Sequence, residues 1–205
     1  MKKWKSCLIT VMLALIGLLS FLELTGAICP PELRAPREGV PTVVTRQDDL
    51  LITGISQIAS DEDRIYVLYG TYSVVQAYNQ AGAYLYSVSV YNHANGLTRV
   101  AAQDGNLYIR DKQGNVYIFS GTELIEYLEK PEADHPAAKL PYGVSDPGYR
   151  LRWGSVENAE GDTVIARPFY TALYHNGMIS RVQFYLIVGI GLILAWGKLG
   201  GEKKQ

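Results

Sequence analysis

Few residues in this chain stand where they could do chemistry. The three histidines, His93, His135 and His175, lie about forty residues apart, and none has a neighbour at metal-ligand spacing. Asp61-Glu62-Asp63 gathers three carboxylates but lacks the alternation of a calcium loop, so it reads as a solvated turn. No Gly-rich phosphate loop, no His-Glu-x-x-His and no Gly-x-Ser-x-Gly occurs. The residues therefore offer no catalytic set, no cofactor site and no metal site. Cys7 lies in an apolar run and Cys29 beyond it, so no intrachain disulfide is expected.

Contact chemistry is better represented. Tyr66, Tyr69, Tyr72, Tyr78, Tyr84, Tyr86 and Tyr91 crowd one short stretch. Such rings stack on sugars or peptides, although strand propensity alone accounts for most of them. Tyr69 and Tyr72 are the candidates for a binding surface from this cluster. Arg150, Arg152 and Trp153 form a second cluster, followed by Arg167-Pro168-Phe169-Tyr170 close to the apolar C-terminal end. Lipid headgroups or the rest of the chain would both suit it.

These residues must be positioned by a chain of 205 residues with 19 Lys+Arg, 20 Asp+Glu and a net charge of -1, which is no footprint for nucleic acid. Hydrophobic residues make up 48%, which excludes intrinsic disorder. Both ends are apolar. Residues 1–28 carry Lys2, Lys3 and Lys5, then Cys7 to Leu22 without a charge. At 1.5 Å per helical residue that run spans about 24 Å, just short of a hydrocarbon core of about 30 Å. It reads as an uncleaved signal-anchor or, with Thr25-Gly26-Ala27 as the cut, a cleaved signal peptide. A lipoprotein is disfavoured, because Ile28 is bulky where a small residue must precede Cys29. Residues 178–199 predict a C-terminal transmembrane helix, with Arg181 and Lys198 snorkelling outward and Phe184, Tyr185 and Trp196 at the interfaces. A buried core helix is the alternative.

Charge sets the orientation. The middle, residues 24–181, holds 13 basic and 18 acidic residues, whereas both short ends are basic. The positive-inside rule then places both termini in the cytoplasm, residues 200–205 as a short tail, and the middle outside the plasma membrane. With the first segment cleaved, a single C-terminal anchor remains.

The middle begins with residues 29–48, whose Pro30, Pro31, Pro36 and Pro41 predict an extended linker. Self-similarity follows over 49–130, with units at about 54–95 and 96–130. Gly54-Ile55-Ser56-Gln57-Ile58-Ala59 matches Gly96-Leu97-Thr98-Arg99-Val100-Ala101, and Ile65-Tyr66-Val67 matches Leu107-Tyr108-Ile109. Val75-Gln76-Ala77-Tyr78 matches Val116-Tyr117-Ile118-Phe119, Gly82 matches Gly121, and Leu85-Tyr86 matches Leu124-Ile125. Each unit consists of short β-branched and aromatic runs between turn signals such as Asp104-Gly105. A period of about 42 residues lies in the range of propeller blades, with an ordinary antiparallel meander as the alternative. Residues 131–148, with four prolines, predict a loop, and 149–177 predict additional strands.

The stretch from Ile58 through Ile65-Tyr66-Val67 and Val75-Gln76-Ala77-Tyr78 to Asn79-Gln80-Ala81-Gly82 resembles an NHL-type β-propeller repeat, and residues 100–128 resemble it again. The resemblance covers about 80 residues of structural positions and implies blade-like antiparallel sheets, a scaffold that hosts several functions. A ring needs at least four blades, so two units, or three with 143–168 as a degenerate copy, leave it open and its edges exposed. The expectation is an all-β extracytoplasmic domain with an apolar N-terminal helix and a C-terminal transmembrane helix. Its function would be a non-catalytic binding or accessory module, meeting another membrane or secreted protein or a second copy of itself. A cell-surface enzyme, or a carbohydrate- or peptide-binding protein using the loops, is the alternative.

Overall fold

The computed structural model describes residues 2–24, 31–34, 36–45, 55–70, 72–91, 98–144, 146–167 and 178–199. The chain divides into two compact units, residues 29–176 and residues 1–28 with 177–205.

The larger unit is built from three antiparallel sheets. The first contains β1 (Thr42–Val44), β2 (Gln57–Ser60), β3 (Arg64–Tyr69), β4 (Val74–Asn79) and β5 (Tyr84–Ser89), in the order β1-β5-β4-β3-β2. The second is a meander of β6 (Arg99–Gln103), β7 (Asn106–Arg110), β8 (Val116–Ser120) and β9 (Glu123–Leu128). The third joins β10 (Tyr149–Arg152), β11 (Ser155–Asn158) and β12 (Thr163–Ile165).

The first and second sheets have corresponding strand registers. Ile65 pairs with Tyr78 and Val67 with Gln76, as Leu107 pairs with Phe119 and Ile109 with Tyr117. The second copy is one residue shorter here because its β7–β8 turn is tighter. In the last hairpin, Ala77 pairs with Tyr86 and Tyr78 with Tyr84, leaving Leu85 as a bulge. Ile118 pairs with Glu126 and Phe119 with Leu124, so Ile125 is the same bulge. Leu85 therefore corresponds to Ile125, one residue beyond the match made on side-chain type. The bulge accounts for the shift, since its extra residue points outward in both sheets. Leu85 and Ile125 are 38% and 51% exposed.

The third sheet repeats this hairpin. Val156 pairs with Ile165 and Glu157 with Thr163, with Val164 as the bulge. Its turn, Asn158-Ala159-Glu160-Gly161, closes as Asn79-Gln80-Ala81-Gly82 does. The Asn158 Oδ1 accepts from Asp162 N and the Asn79 Oδ1 from Ala83 N, each at 2.8 Å. Asp111 folds the β7–β8 turn the same way, accepting from Asn115 N at 2.9 Å. In each turn the short side chain replaces a backbone acceptor and glycine takes a positive φ, +79° at Gly82 and +93° at Gly161.

Packing places the first sheet in the middle. One face supplies Tyr66, Leu68, Val75, Ala77 and Val88 to a core shared with Leu107, Ile109, Tyr117 and Phe119 of the second sheet. Its opposite face supplies Ile58, Ile65, Val67, Tyr69 and Val74 to a core shared with Val156 and Ile165 of the third. Burial on both faces explains why β3 and β4 read as continuous apolar runs rather than alternating ones. The far face of the second sheet is closed by the 3-10 turn Pro136–Lys139 and its neighbours, with Ala137 and Tyr142 packed on Ala101, Val116 and Ile118. Residues 131–148, expected as a loop, thus include a cap.

The proline-rich segment also differs from a free linker. Leu33, in the single turn α2 (Pro31–Arg34), is fully buried, and its carbonyl accepts from Ser89 Oγ at 2.5 Å. Gly39 N donates to Tyr117 Oη at 3.1 Å, and β1 pairs with β5 through Thr42–Ser89, Val43–Val88 and Val44–Ser87. The β-branched Thr42-Val43-Val44 begins directly after Pro41, where proline no longer interferes with the ladder.

In the smaller unit, α1 (Lys2–Leu24) lies antiparallel to α3 (Met178–Leu199). Gln183 Nε2 donates to Ser20 Oγ at 3.4 Å, and a Cβ at Gly189 would lie 2.7 Å from Met12 Cε. Among the described residues, α1 alone is long and apolar enough to cross a membrane, over Trp4–Phe21. The described apolar stretch of α3, Tyr185–Leu194, is too short to do so by itself.

Candidate functional site

The sequence singled out five residues, and they do not form one surface. Tyr69 is fully buried, in the core between the first and third sheets. Its ring lies under the Arg167 guanidinium, 4.9 Å from the centroid, and its hydroxyl contacts Arg167 Nη1. Burial raises its pKa well above the ordinary tyrosine value. Tyr69 is therefore a core residue and presents no ring to a ligand. Tyr72, in the β3–β4 turn, is half-buried and packs at the edge of the same core. The tyrosine cluster is largely interior, with Tyr66, Tyr78 and Tyr86 also buried.

Arg150, Arg152 and Trp153 do come together, on the β10–β11 hairpin. Arg150 and Arg152 flank the buried Glu157 carboxylate, at 3.1 Å to Oε2 and 3.6 Å to Oε1. Their alternation puts both on the face of the third sheet turned away from the first, while Leu151 pairs with Val156 on the inner face. Trp153 and Gly154 close the two-residue turn at φ +50° and +84°, the positive pair that such a hairpin requires. A tryptophan in this region is strained, and this one is 77% exposed.

A cleft of about 330 Å³ is lined by Ile58 of β2, by Gly143, Val144 and Asp146, and by Tyr149 and Leu151 of β10, among others. The Asp146 carboxylate there accepts from Ser60 Oγ at 2.6 Å and from Gly148 N at 2.8 Å, so it fastens the loop. His135 caps the 3-10 turn, its Nδ1 accepting from Ala137 N. Asp61 Oδ1 accepts from the Asp63 and Arg64 amides and shapes the β2–β3 turn. His93, His175, Cys29, Phe169 and Tyr170 lie outside the described residues. Among the described residues, no group of three His, Cys, Asp or Glu is placed to hold a metal ion.

Sequence reasoning missed a difference between the sheet edges. The outer edge of the first sheet, β5, is covered by β1, whereas β9, the corresponding strand of the second, ends its sheet without a paired neighbour among the described residues. The signal is the run Thr42-Val43-Val44, three β-branched residues at the end of the proline-rich stretch.

What fold and surfaces define is a mostly β protein of three antiparallel sheets with an apolar N-terminal helix. No family model, curated protein or solved structure matches the chain.

Proposed function

We propose that this chain is a membrane-anchored, non-catalytic binding or accessory module whose β domain lies on the extracytoplasmic side and joins another membrane or secreted protein. The observation that carries the reading is the β9 edge, which has no paired neighbour among the described residues, beside a β5 edge that β1 covers. An exposed edge presents a row of unpaired amides and carbonyls, and an extended strand of a partner completes it by β-augmentation. The exposed Ile125 on that strand adds an apolar contact. The sheets are blade-like units of the NHL type, supported by the shared register and bulge of the first two meanders.

In this reading α1 spans the membrane and α3 is the second span. At 22 residues α3 reaches about 33 Å. Its antiparallel contact with α1 brings Met12 Cε to 2.7 Å from where a Cβ at Gly189 would sit, a small residue at a helix contact of the kind that packing in lipid favours. Both basic tails then lie in the cytoplasm.

The test is a photo-crosslinker at position 125 in cells, with a control at position 85, the same bulge on the covered sheet. A discrete adduct with a second protein from 125, absent from 85, is expected. No adduct at 125, or equal adducts at both, contradicts the reading.

A further inference from the structure

We propose that Arg99, Arg110 and Lys112 form a binding site for a phosphate- or sulfate-type oxyanion at the end of the second sheet, independent of the β9 edge. The starting point is the register. Arg99 of β6 pairs directly with Arg110 of β7, so two guanidinium groups leave one face of the sheet from neighbouring positions. Like charges opposed in this way, with Cβ atoms about 5 Å apart, repel each other unless an anion bridges them.

No carboxylate performs that role. Among the described residues, neither arginine nor Lys112 has a salt bridge to an acidic side chain. Both guanidinium stems are instead held by neutral groups of the cap. The Arg110 guanidinium carbon lies 5.7 Å from the Tyr142 ring centroid, and the Arg99 side chain lies along Gly143, where a Cβ would approach its Cδ to 3.1 Å. Tyr142 is buried and anchored by its hydroxyl to the Ala137 carbonyl at 2.8 Å. The two forks are thus oriented in advance, which lowers the ordering cost of binding.

Between them lies a cleft of about 350 Å³, lined by Arg99, Arg110, Asp111, Lys112, Gln113 and Gly114. Asp111 is the one acidic lining residue. It is buried, and its carboxylate already accepts from Gln113 N, Asn115 N and Asn115 Nδ2, all at 2.9 Å. Three cations against one internally bonded carboxylate leave the cleft positive. Two planar forks and a mobile ammonium match the several oxygens of a tetrahedral oxyanion better than a single carboxylate.

The test titrates inorganic pyrophosphate, and separately sulfate, into the intact chain in a nonionic detergent at low salt. Saturable binding that weakens with added salt is expected. Arg99→Gln and Arg110→Gln should each weaken it about tenfold. Lys112→Gln, at an exposed turn position with no fold role, should weaken it about threefold, which keeps the test decisive if an arginine variant fails to fold. A water-soluble short-chain phosphatidic acid separates two sources of the anion: tighter binding than pyrophosphate places it on a lipid headgroup, equal binding on a free phosphoryl compound. No saturation by about 20 mM of either inorganic anion, or undiminished binding by the folded variants, overturns the proposal.

Discussion

The first and second sheets are two versions of one meander in different surroundings. They share register, hairpin order and the bulge at Leu85 and Ile125. The first has a sheet packed on each face and β1 along its outer edge. The second has a sheet on one face, a cap of turns on the other and, among the described residues, no strand paired along the outer edge of β9. Burial follows the surroundings: β5 is buried over its last four residues, whereas no residue of β9 is fully buried. The same local pattern therefore becomes core in one place and surface in another, and the neighbours decide which.

The largest effect should come from the core that the two sheets share. Phe119→Ala removes a fully buried ring from it and should cost about 3–5 kcal/mol in denaturant unfolding. A loss under about 1 kcal/mol would mean that the two sheets do not pack on that face.

The turn glycines sharpen the comparison. Gly82 and Gly121 both have positive φ, +79° and +59°. A Cβ at Gly82 would fall 2.0 Å from the Val164 carbonyl oxygen of the third sheet, while one at Gly121 would meet nothing within 4 Å. Gly121→Ala should cost only the conformational strain, about 1–2 kcal/mol. Gly82→Ala must also displace backbone and should cost clearly more. Equal losses would argue against the third sheet packing on the first.

A loss below that of Phe119→Ala is expected at the seam between β2 and β6. The Gln57 side chain mimics a peptide unit there, donating to the Val100 carbonyl at 2.7 Å and accepting from Val100 N at 2.9 Å. Gln57→Ala should cost about 1–3 kcal/mol, since it leaves both Val100 groups unpaired. The variant's thermal unfolding measures this directly.

The smallest effect is one of pH. Burial pushes the Tyr117 hydroxyl up to about 12 from an ordinary value of 10.0. The folded chain then keeps this proton after the unfolded chain has lost it. The contribution is complete below pH 10 and declines as pH rises from 10 to about 12. Tyr117→Phe should flatten the loss of stability over that window, and an unchanged slope would contradict the burial of this hydroxyl.

Much of the β architecture was legible because hairpins are local: Asp104-Gly105, Asn79-x-x-Gly82 and the alternation of β7 are all short-range signals. The third sheet was only half legible, though Asn158-x-x-Gly161 repeats the first and last residues of the turn Asn79-x-x-Gly82. What escaped was long-range. Nothing near Thr42-Val43-Val44 names β5 as its partner, and nothing in β9 shows that its edge has no paired strand among the described residues. Tyr69 is ambiguous for the same reason: a tyrosine in a strand has one sequence pattern whether it stacks on a ligand or lies beneath Arg167. The Arg99–Arg110 pair appears only once the β6–β7 register is known, since eleven positions separate the two in the chain.

The most direct test of the open edge is amide hydrogen exchange on the purified intact chain. Peptides covering β3 and β4 should exchange slowest, β5 should be protected by β1, and β9 should exchange fastest of the strands in the two meanders. Protection of β9 equal to that of β5 in the isolated chain would contradict the account, because it would mean that this edge is already covered.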